Sequence, residues 1–398
     1  MGIRTLDDLT VAGSAVGVRV DINSPLEGSE LADDARLRAH VDTLSELLNR
    51  DGRIAVLAHQ GRPGGDEFEP LEAHARRLDE LLDAPIGYTD ATFSTEARAA
   101  IDGLGPGEGI VLQNTRFYSE EYMEFEPARA AETHLVTNLA PHFDAFVNDA
   151  FAAAHRSQPS MVGFAHALPS FAGRVMEREI DVLGDIDDTA RPRTYVVGGA
   201  KIPDSLTVIR HSLDAGLADD ILTTGLVANV FMLAAGHDLG DGSADVIYER
   251  GHWEEIDRAA DLLDAYPDRI HLPTDVAIER EGMRVEIPVG ELPPSRDEPI
   301  KDIGSATVDS YERLLEDTKT VVLNGPAGVF EESPFRFGTA ELFQVVAETG
   351  FSIVGGGDTS AAVRRFGIEG FDHVSTGGGA ALRLLTGERL PAIEALDR

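Results

Sequence analysis

The chain contains no cysteine. That excludes a disulfide framework and any metal site built on thiolates. Lysine is almost absent, occurring only at Lys201, Lys301 and Lys319. No segment approaches the roughly 18 to 20 uninterrupted apolar residues of a membrane-spanning helix. Met1–Thr10 has no basic stretch leading into an apolar one, so no secretory signal is expected and the cytoplasm is the expected location. Two nucleotide-binding fingerprints are missing, G-x-x-x-x-G-K-[ST] and G-x-G-x-x-G. Positive charge is scarce: 34 Lys and Arg stand against 70 Asp and Glu, a formal net charge of −36. Such a surface repels nucleic acid and anionic membranes, which bind through basic patches.

What is present is a globular composition, 42% hydrophobic over 398 residues, enough for two or three domains with their own cores. Short apolar runs alternate with amphipathic stretches. Val16–Ile22, Ile54–His59, Ile110–Leu112 and Phe146–Asn148 read as buried strands, and Leu31–Asn49 and Pro70–Leu82 as helices. The second half repeats the scheme with strands at Tyr195–Gly198, Ile221–Thr224, Val321–Asn324 and Ile353–Gly355. Regular alternation implies an α/β fold with parallel sheets wrapped in helices, here two doubly wound domains. Phe171–Asp187 reads as one helix between them and Asp187–Arg193 as a linker that Pro192 keeps from being helical. Val285–Asp302, rich in Pro and Glu, reads as an exposed excursion.

Ligands of open α/β sheets bind beyond the carboxyl ends of strands. In the first half four such ends are alike: Arg19-Val20-Asp21-Ile22-Asn23, then His59-Gln60-Gly61-Arg62, then Asn114-Thr115-Arg116, then Asn148-Asp149 followed by His155-Arg156. Arg36 follows the first of them. Any one arginine is best explained by a nearby carboxylate. Recurrence at four ends of so acidic a chain points instead to a small, multiply anionic ligand, which guanidinium grips bidentately.

The second half carries glycine at the same topological positions: Gly198-Gly199-Ala200-Lys201, Thr224-Gly225, Asn324-Gly325-Pro326-Ala327-Gly328-Val329-Phe330-Glu331, Gly355-Gly356-Gly357-Asp358-Thr359 and Gly377-Gly378-Gly379. One Gly-Gly pair is a tight turn. Five such ends, with Lys201 at one and Asp358 as a magnesium ligand at another, point to a di- or triphosphate.

At these residues the chain resembles phosphoglycerate kinase over nearly its whole length. RVDINSP, HQGRP, VNDAF with HRSQPS, VGGAK, NGPAGVFE, GGGDTS and STGGGA occur in that family's order, and LQNTRFYSEE and GLVANVF are similar to its archaeal branch. The resemblance implies an N-terminal phosphoglycerate-binding domain (1–170, with the tail 381–398 packed on it), an interdomain helix (171–187) and a C-terminal nucleotide-binding domain (188–380) that close on one another by hinge bending. It implies phosphoglycerate ligands Asp21, Asn23, Arg36, His59, Arg62, Arg116 and Arg156. It implies nucleotide contacts from Gly199, Ala200, Lys201, Gly225, Asn324, Pro326, Val329, Glu331, Gly356, Gly357, Asp358, Thr359 and Gly379, with Mg2+ on Asp358. Arg36, Lys201, Gly356 and Gly378 are the implied catalytic set. A monomer acting on 3-phosphoglycerate and ATP, without nucleic-acid or membrane partners, is expected. Two departures stand out: Ser205 where the bacterial and eukaryotic pattern has a second lysine, and Leu323 where it has tryptophan. An NAD-dependent dehydrogenase would need the missing fingerprint, and an acidic nucleic-acid mimic would not need an arginine cluster.

Few lysines beside abundant Asp and Glu is the composition expected of adaptation to molar salt; a GC-rich genome favouring arginine codons is the plainer alternative. Seventy carboxylates cannot all pair with 34 basic groups. Screening shortens from about 10 Å at 0.1 M salt to about 3 Å at 1 M. The melting temperature and activity should therefore both rise from 0.1 M to multimolar KCl. A melting temperature that stays flat or falls across that series would refute salt adaptation.

Overall fold

The computed structural model describes residues 2–28, 30–184, 186–294 and 298–397. The expected helix Phe171–Asp187, the excursion Val285–Asp302 and the terminal domain limits therefore lie partly outside the described residues, at Asp185, 295–297, Met1 and Arg398. The chain divides into two compact units, Met1–Gly184 with Gly387–Arg398, and Asp185–Thr386. The second unit is thus inserted between two pieces of the first.

The first unit contains β1 (Ala15–Arg19), the short antiparallel pair β2 (Leu26–Glu27) and β3 (Glu30–Leu31), β4 (Arg53–Leu57), β5 (Ile86–Tyr88), β6 (Gly109–Val111), β7 (Ala145–Asn148) and β8 (Ser170–Ala172). Six of these form one parallel sheet in the order β5-β6-β4-β1-β7-β8. Alternate side chains of each strand enter different cores. Val16, Val18, Ile54, Val56 and Val147 join one cluster, while Ala55, Leu57, Ile110 and Phe146 join another. A strand buried on both faces has to be apolar throughout, which is why these runs stand out in the sequence. The C-terminal helix Pro391–Leu396 returns to this unit, with Ala392 N–H donating to the Ala154 carbonyl at 3.1 Å.

The second unit contains β9 (Arg193–Val197), β10 (Asp220–Thr223), β11 (Ile270–His271), β12 (Asp275–Arg280), β13 (Met283–Pro288), β14 (Ile300–Ile303), β15 (Thr320–Asn324), β16 (Phe351–Gly355) and β17 (His373–Val374). Its parallel sheet runs β11-β10-β9-β15-β16-β17, and β12 pairs antiparallel with β13 and β14 in a separate sheet. The Pro- and Glu-rich segment expected to be an excursion therefore contributes two of three strands. Ile287, Val289 and Ile303 are buried there. Leu323 lies in the core of this unit, fully buried, so the departure from tryptophan is a packing difference.

Two expected helices divide. Leu31–Asn49 becomes Ala35–Ala39 and Val41–Asn49, interrupted at His40. The His40 side chain is engaged elsewhere: its Nδ1 lies 2.6 Å from Asp149 Oδ2, and Asp21 N–H donates to its Nε2 at 3.1 Å. Phe171–Asp187 becomes the edge strand β8 and the helix Arg174–Gly184. Gly173 separates them. A side chain there would meet the Asp149 carboxylate, with Oδ1 only 2.2 Å from a Cβ, so no larger residue fits. The strands also end earlier than their apolar runs: β1 stops at Arg19 and β4 at Leu57. Val20–Ile22 and Ala58–His59 continue as buried loop.

Among the described residues no helix is long and apolar enough to cross a membrane.

Candidate active site

The first unit gathers its predicted residues at the carboxyl ends of β1, β4, β6 and β7. Arg36, near the start of its short helix, donates from Nη1 to Asp21 Oδ2 at 2.7 Å, yet its side chain stays 45% exposed, so the rest of the fork is open. Burial alone would raise the Asp21 carboxyl. The basic groups around it, His59 once acid has protonated it, Arg36, Arg19 and the neighbouring His40, outweigh burial and hold it at about 2. His59 is buried too, and burial together with Arg19, Arg116 and Arg156 pushes its imidazole well below the ordinary range, against the pull of Asp21. It is neutral at physiological pH, so the arginines are what keep Asp21 ionised. Arg19 Nη2 donates to His59 Nδ1 at 2.8 Å. The neutral ring therefore carries its proton on Nε2, ready to donate to an anion.

Arg62, Arg116 and Arg156 form the remainder. None makes an ion pair among the described residues. Burial, with Arg156, Arg19 and Arg62 nearby, pushes Arg116 down to about 10. Burial also lowers Arg156; Asp21 counters this and Arg62 adds to it. Arg116 reaches the Gly61 carbonyl at 2.6 Å, which fixes it against the β4 end. Three guanidiniums gathered without an ion pair among the described residues, in a chain of charge −36, make a site for an anion. Asn23 is partly committed, because its Oδ1 accepts from Gly61 N–H at 2.8 Å; only its amide NH2 can donate to a ligand.

The supporting shell was not legible beforehand. Arg19 Nε donates to Ser160 Oγ at 3.0 Å, and Ser160 Oγ donates to Glu121 at 2.6 Å. The Gln60 and Asn114 side chains tie the strand-end loops together, at 2.8 Å to the Ser24 and Gln60 carbonyls respectively. Arg19 lies inside RVDINSP and could have been singled out from that motif; nothing in the sequence distinguishes His40 or Glu121.

The second unit brings its glycine turns together. Gly198 to Lys201, Asp204, Ser205, Asn324 to Pro326, Gly356 to Thr359, Gly378 and Gly379 line one cleft of about 140 Å³. An adjoining cavity of about 440 Å³ is lined by Leu226, Met232, Pro326, Val329 and Glu331 among others. Gly325 shows why glycine is needed: at φ +95° a Cβ would lie 2.2 Å from the Gly198 carbonyl oxygen. The backbones of the β9 and β15 ends are therefore in direct contact.

Gly199 and Gly225, expected as nucleotide contacts, line the cleft but commit their own N–H groups to the fold. Gly199 N–H donates to the Pro326 carbonyl at 2.9 Å and Gly225 N–H to that of Ala327 at 3.1 Å. They join the loops and leave room, but their donors are spent. The Thr359 hydroxyl likewise accepts from Gly325 N–H at 2.8 Å. Lys201 Nζ sits 2.9 Å from Asp358 Oδ2, with both side chains well exposed at the cleft mouth. Asp358 lies in the first turn of the helix Gly357–Phe366, where the helix dipole favours negative charge. Ser205 is buried on the wall of this cleft, so the position that departs from the expected lysine faces it.

A profile of the family described as "Phosphoglycerate kinase" matches residues 6–388. Phosphoglycerate kinases of Halobacterium salinarum and Natronomonas pharaonis, both halophiles, are 65% and 61% identical to the chain, over 100% and 99% of both sequences. The crystal structure of phosphoglycerate kinase from Pyrococcus horikoshii has a TM-score of 0.94 at 39% identity, covering 99% of this chain and 98% of that one. Coxiella burnetii phosphoglycerate kinase has a TM-score of 0.82 at 30% identity, covering 99% of both.

The charge balance around Asp21 has a measurable signature. A depressed carboxyl contributes stability above its unfolded value, near 3.8, and loses it as pH falls through about 2. Asp21→Asn should therefore cost about 2 kcal/mol near pH 6, and the cost should shrink between pH 4 and pH 2. Denaturant midpoints of the two proteins across that range test this; a penalty independent of pH would assign Asp21 to packing alone.

Proposed function

Since the chain belongs to the phosphoglycerate kinase family, we propose that the arginine cluster holds 3-phosphoglycerate and that the glycine-lined cleft and its neighbouring cavity hold ATP. The activity is reversible phosphoryl transfer between ATP and the carboxylate of 3-phosphoglycerate, giving ADP and 1,3-bisphosphoglycerate. The observation that carries the acceptor assignment is the set Arg62, Arg116 and Arg156, without ion pairs among the described residues in a chain of charge −36. Phosphate and carboxylate are the groups such a set grips. The enzyme works on small molecules; we place it in the cytoplasm as a monomer, with domains following the two compact units.

In this reading Asp21, through Arg36, and His59, through Nε2–H, orient the acceptor, while Asn23, Arg62, Arg116 and Arg156 neutralise and position it. Ala200, Pro326 and Val329 flank the base, and Glu331 accepts from the ribose. Gly356, Gly357, Gly378 and Gly379 let the phosphates approach the backbone. Gly199, Gly225, Asn324 and Thr359 hold the loops that make this space. The acceptor carboxylate is ionised at neutral pH, so no general base is required. Catalysis comes from alignment and from neutralising a metaphosphate-like transferring group. Arg36 supplies charge on the acceptor side and Lys201 on the donor side. With the acceptor and the donor on separate units, turnover requires the two to close together and exclude water.

Asp358 fits magnesium carried on the nucleotide. It is an exposed carboxylate at the edge of the phosphate cleft, which Asp204 also lines, and no cluster of three or more potential ligands occurs among the described residues. Mg2+ is commonly held by one or two carboxylates plus substrate phosphates. When bound there, it would spread the negative charge of the phosphate chain. Lys201 then contributes its own charge to the same phosphates.

Incubation with ATP, Mg2+ and 3-phosphoglycerate, with product formation coupled to NADH oxidation, tests the activity; no oxidation would refute it. Arg36→Ala should cut turnover roughly 100-fold or more while leaving the fold intact, because it removes charge stabilisation that matters most in the transition state. Turnover within a few-fold of wild type would remove Arg36 from the catalytic set. Asp358→Ala should weaken Mg·ADP binding far more than 3-phosphoglycerate binding. Calorimetric titrations showing equal losses for both ligands would contradict the assignment of two separate sites.

A further inference from the structure

Asn229 lies one turn into the helix Gly225–Ala234, and its neighbours Val227, Ala228, Val230, Phe231 and Met232 are buried and apolar. Asparagine is an unfavourable choice in the interior of a helix, and more so where the helix is buried. Only 3% of the residue is exposed, and it lines the 440 Å³ cavity. Its amide makes no hydrogen bond with any described residue.

Three ionisable side chains of that cavity, Asp302, Lys301 and Asp358, already have partners. Asp302 accepts from Gly338 N–H at 2.8 Å and Ile303 N–H at 2.9 Å. Lys301 pairs with Glu279 at 2.6 Å and Glu332 at 2.8 Å. Asp358 is paired with Lys201. The amide is open to the cavity and finds no protein partner on its walls, so the group that pairs with it arrives with the ligand.

We propose that Asn229 reads the nucleobase, its Oδ1 accepting from the 6-amino group of adenine and its Nδ2 donating to the adjacent ring nitrogen. An asparagine amide offers an acceptor and a donor side by side. Adenine offers the complementary pair on either edge, the 6-amino group beside N1 or beside N7. The apolar walls provided by Leu226, Met232, Val276, Pro326 and Val329 give the base a dry slot but no means of distinguishing its substituents. This inference rests on the assignment of the cavity to the nucleotide.

The test compares kcat/KM for ATP with that for purine riboside 5′-triphosphate, which lacks only the 6-amino group. Wild type should prefer ATP about tenfold, the scale of a lost hydrogen bond that strands a buried partner. Asn229→Leu, close in size and without polar atoms, should bring the ratio near one while leaving the KM for 3-phosphoglycerate unchanged. Asn229→Asp keeps an acceptor for the amino group and should retain a preference for ATP. A wild type indifferent to the 6-amino group overturns the proposal without recourse to any variant. So does an Asn229→Leu enzyme with the wild-type ratio, or an Asn229→Asp enzyme with none. Glu331→Ala separates this failure from failure of the underlying assignment. If Glu331→Ala weakens both nucleotides equally but the Asn229 ratio never moves, only the base-reading role falls. If it weakens neither, the cavity does not hold the nucleotide and both fall.

Discussion

A parallel sheet buried on both faces has no polar atoms to offer along its strands, so all ligand chemistry is forced to the strand ends. In both units this constraint decides where function can sit. In the first unit the strand order reverses at β1 and β7, and the ends of those strands carry Arg19 to Asn23 and Asn148 to Arg156. In the second it reverses between β9 and β15, whose ends carry Gly198 to Lys201 and Asn324 to Glu331. Connections leaving in opposite directions open a crevice at such a switch point, and the arginine cluster and the glycine turns lie there.

The two crevices solve opposite electrostatic problems. The first concentrates guanidinium groups that repel one another and depends on Asp21 to balance part of their charge. The same positive field, with burial, keeps His59 neutral, so it serves as a hydrogen-bond donor rather than as a further cation. The second has a single lysine and relies on backbone geometry, with glycines allowing main chain to touch main chain at the β9 and β15 ends. Scarcity of lysine across the chain makes Lys201 distinctive, and the acidic surface elsewhere gives anionic substrates no competing place to bind.

Both crevices are braced by residues that touch no proposed ligand. His40 and Asp149 connect the Asp21 backbone to the first turn of the helix Arg174–Gly184, since Asp149 Oδ1 accepts from Val175 N–H at 2.9 Å. The small sheet β12–β14 braces the Asn324–Glu331 loop: Val329 N–H donates to the Lys301 carbonyl at 2.8 Å, and Lys301 holds Glu332. The Pro- and Glu-rich segment is thus part of what supports that loop.

The α/β class, the strand-end motifs and most of the residues gathered in the two sites were legible in the sequence, because doubly buried strands must be continuous apolar runs and ligand groups must follow them. Helix limits were less so. Leu31–Asn49 has an unbroken helical pattern, but His40 is captured by Asp149, which lies 109 residues later. Gly173 looks like a tolerable residue inside a helix until the Asp149 carboxylate beside it is known. Amide availability was equally hidden: nothing local in the sequence shows that the Gly199 and Gly225 N–H groups meet carbonyls of the Asn324–Glu331 loop. The unpartnered amide of Asn229 reads, in sequence, as a polar interruption of an apolar helix. Local pattern determined which residues stand at the strand ends. Whether each donor and acceptor there is free or spent was decided by long-range contacts, because a hydrogen bond depends on distances of tenths of an ångström between segments that sequence order leaves far apart.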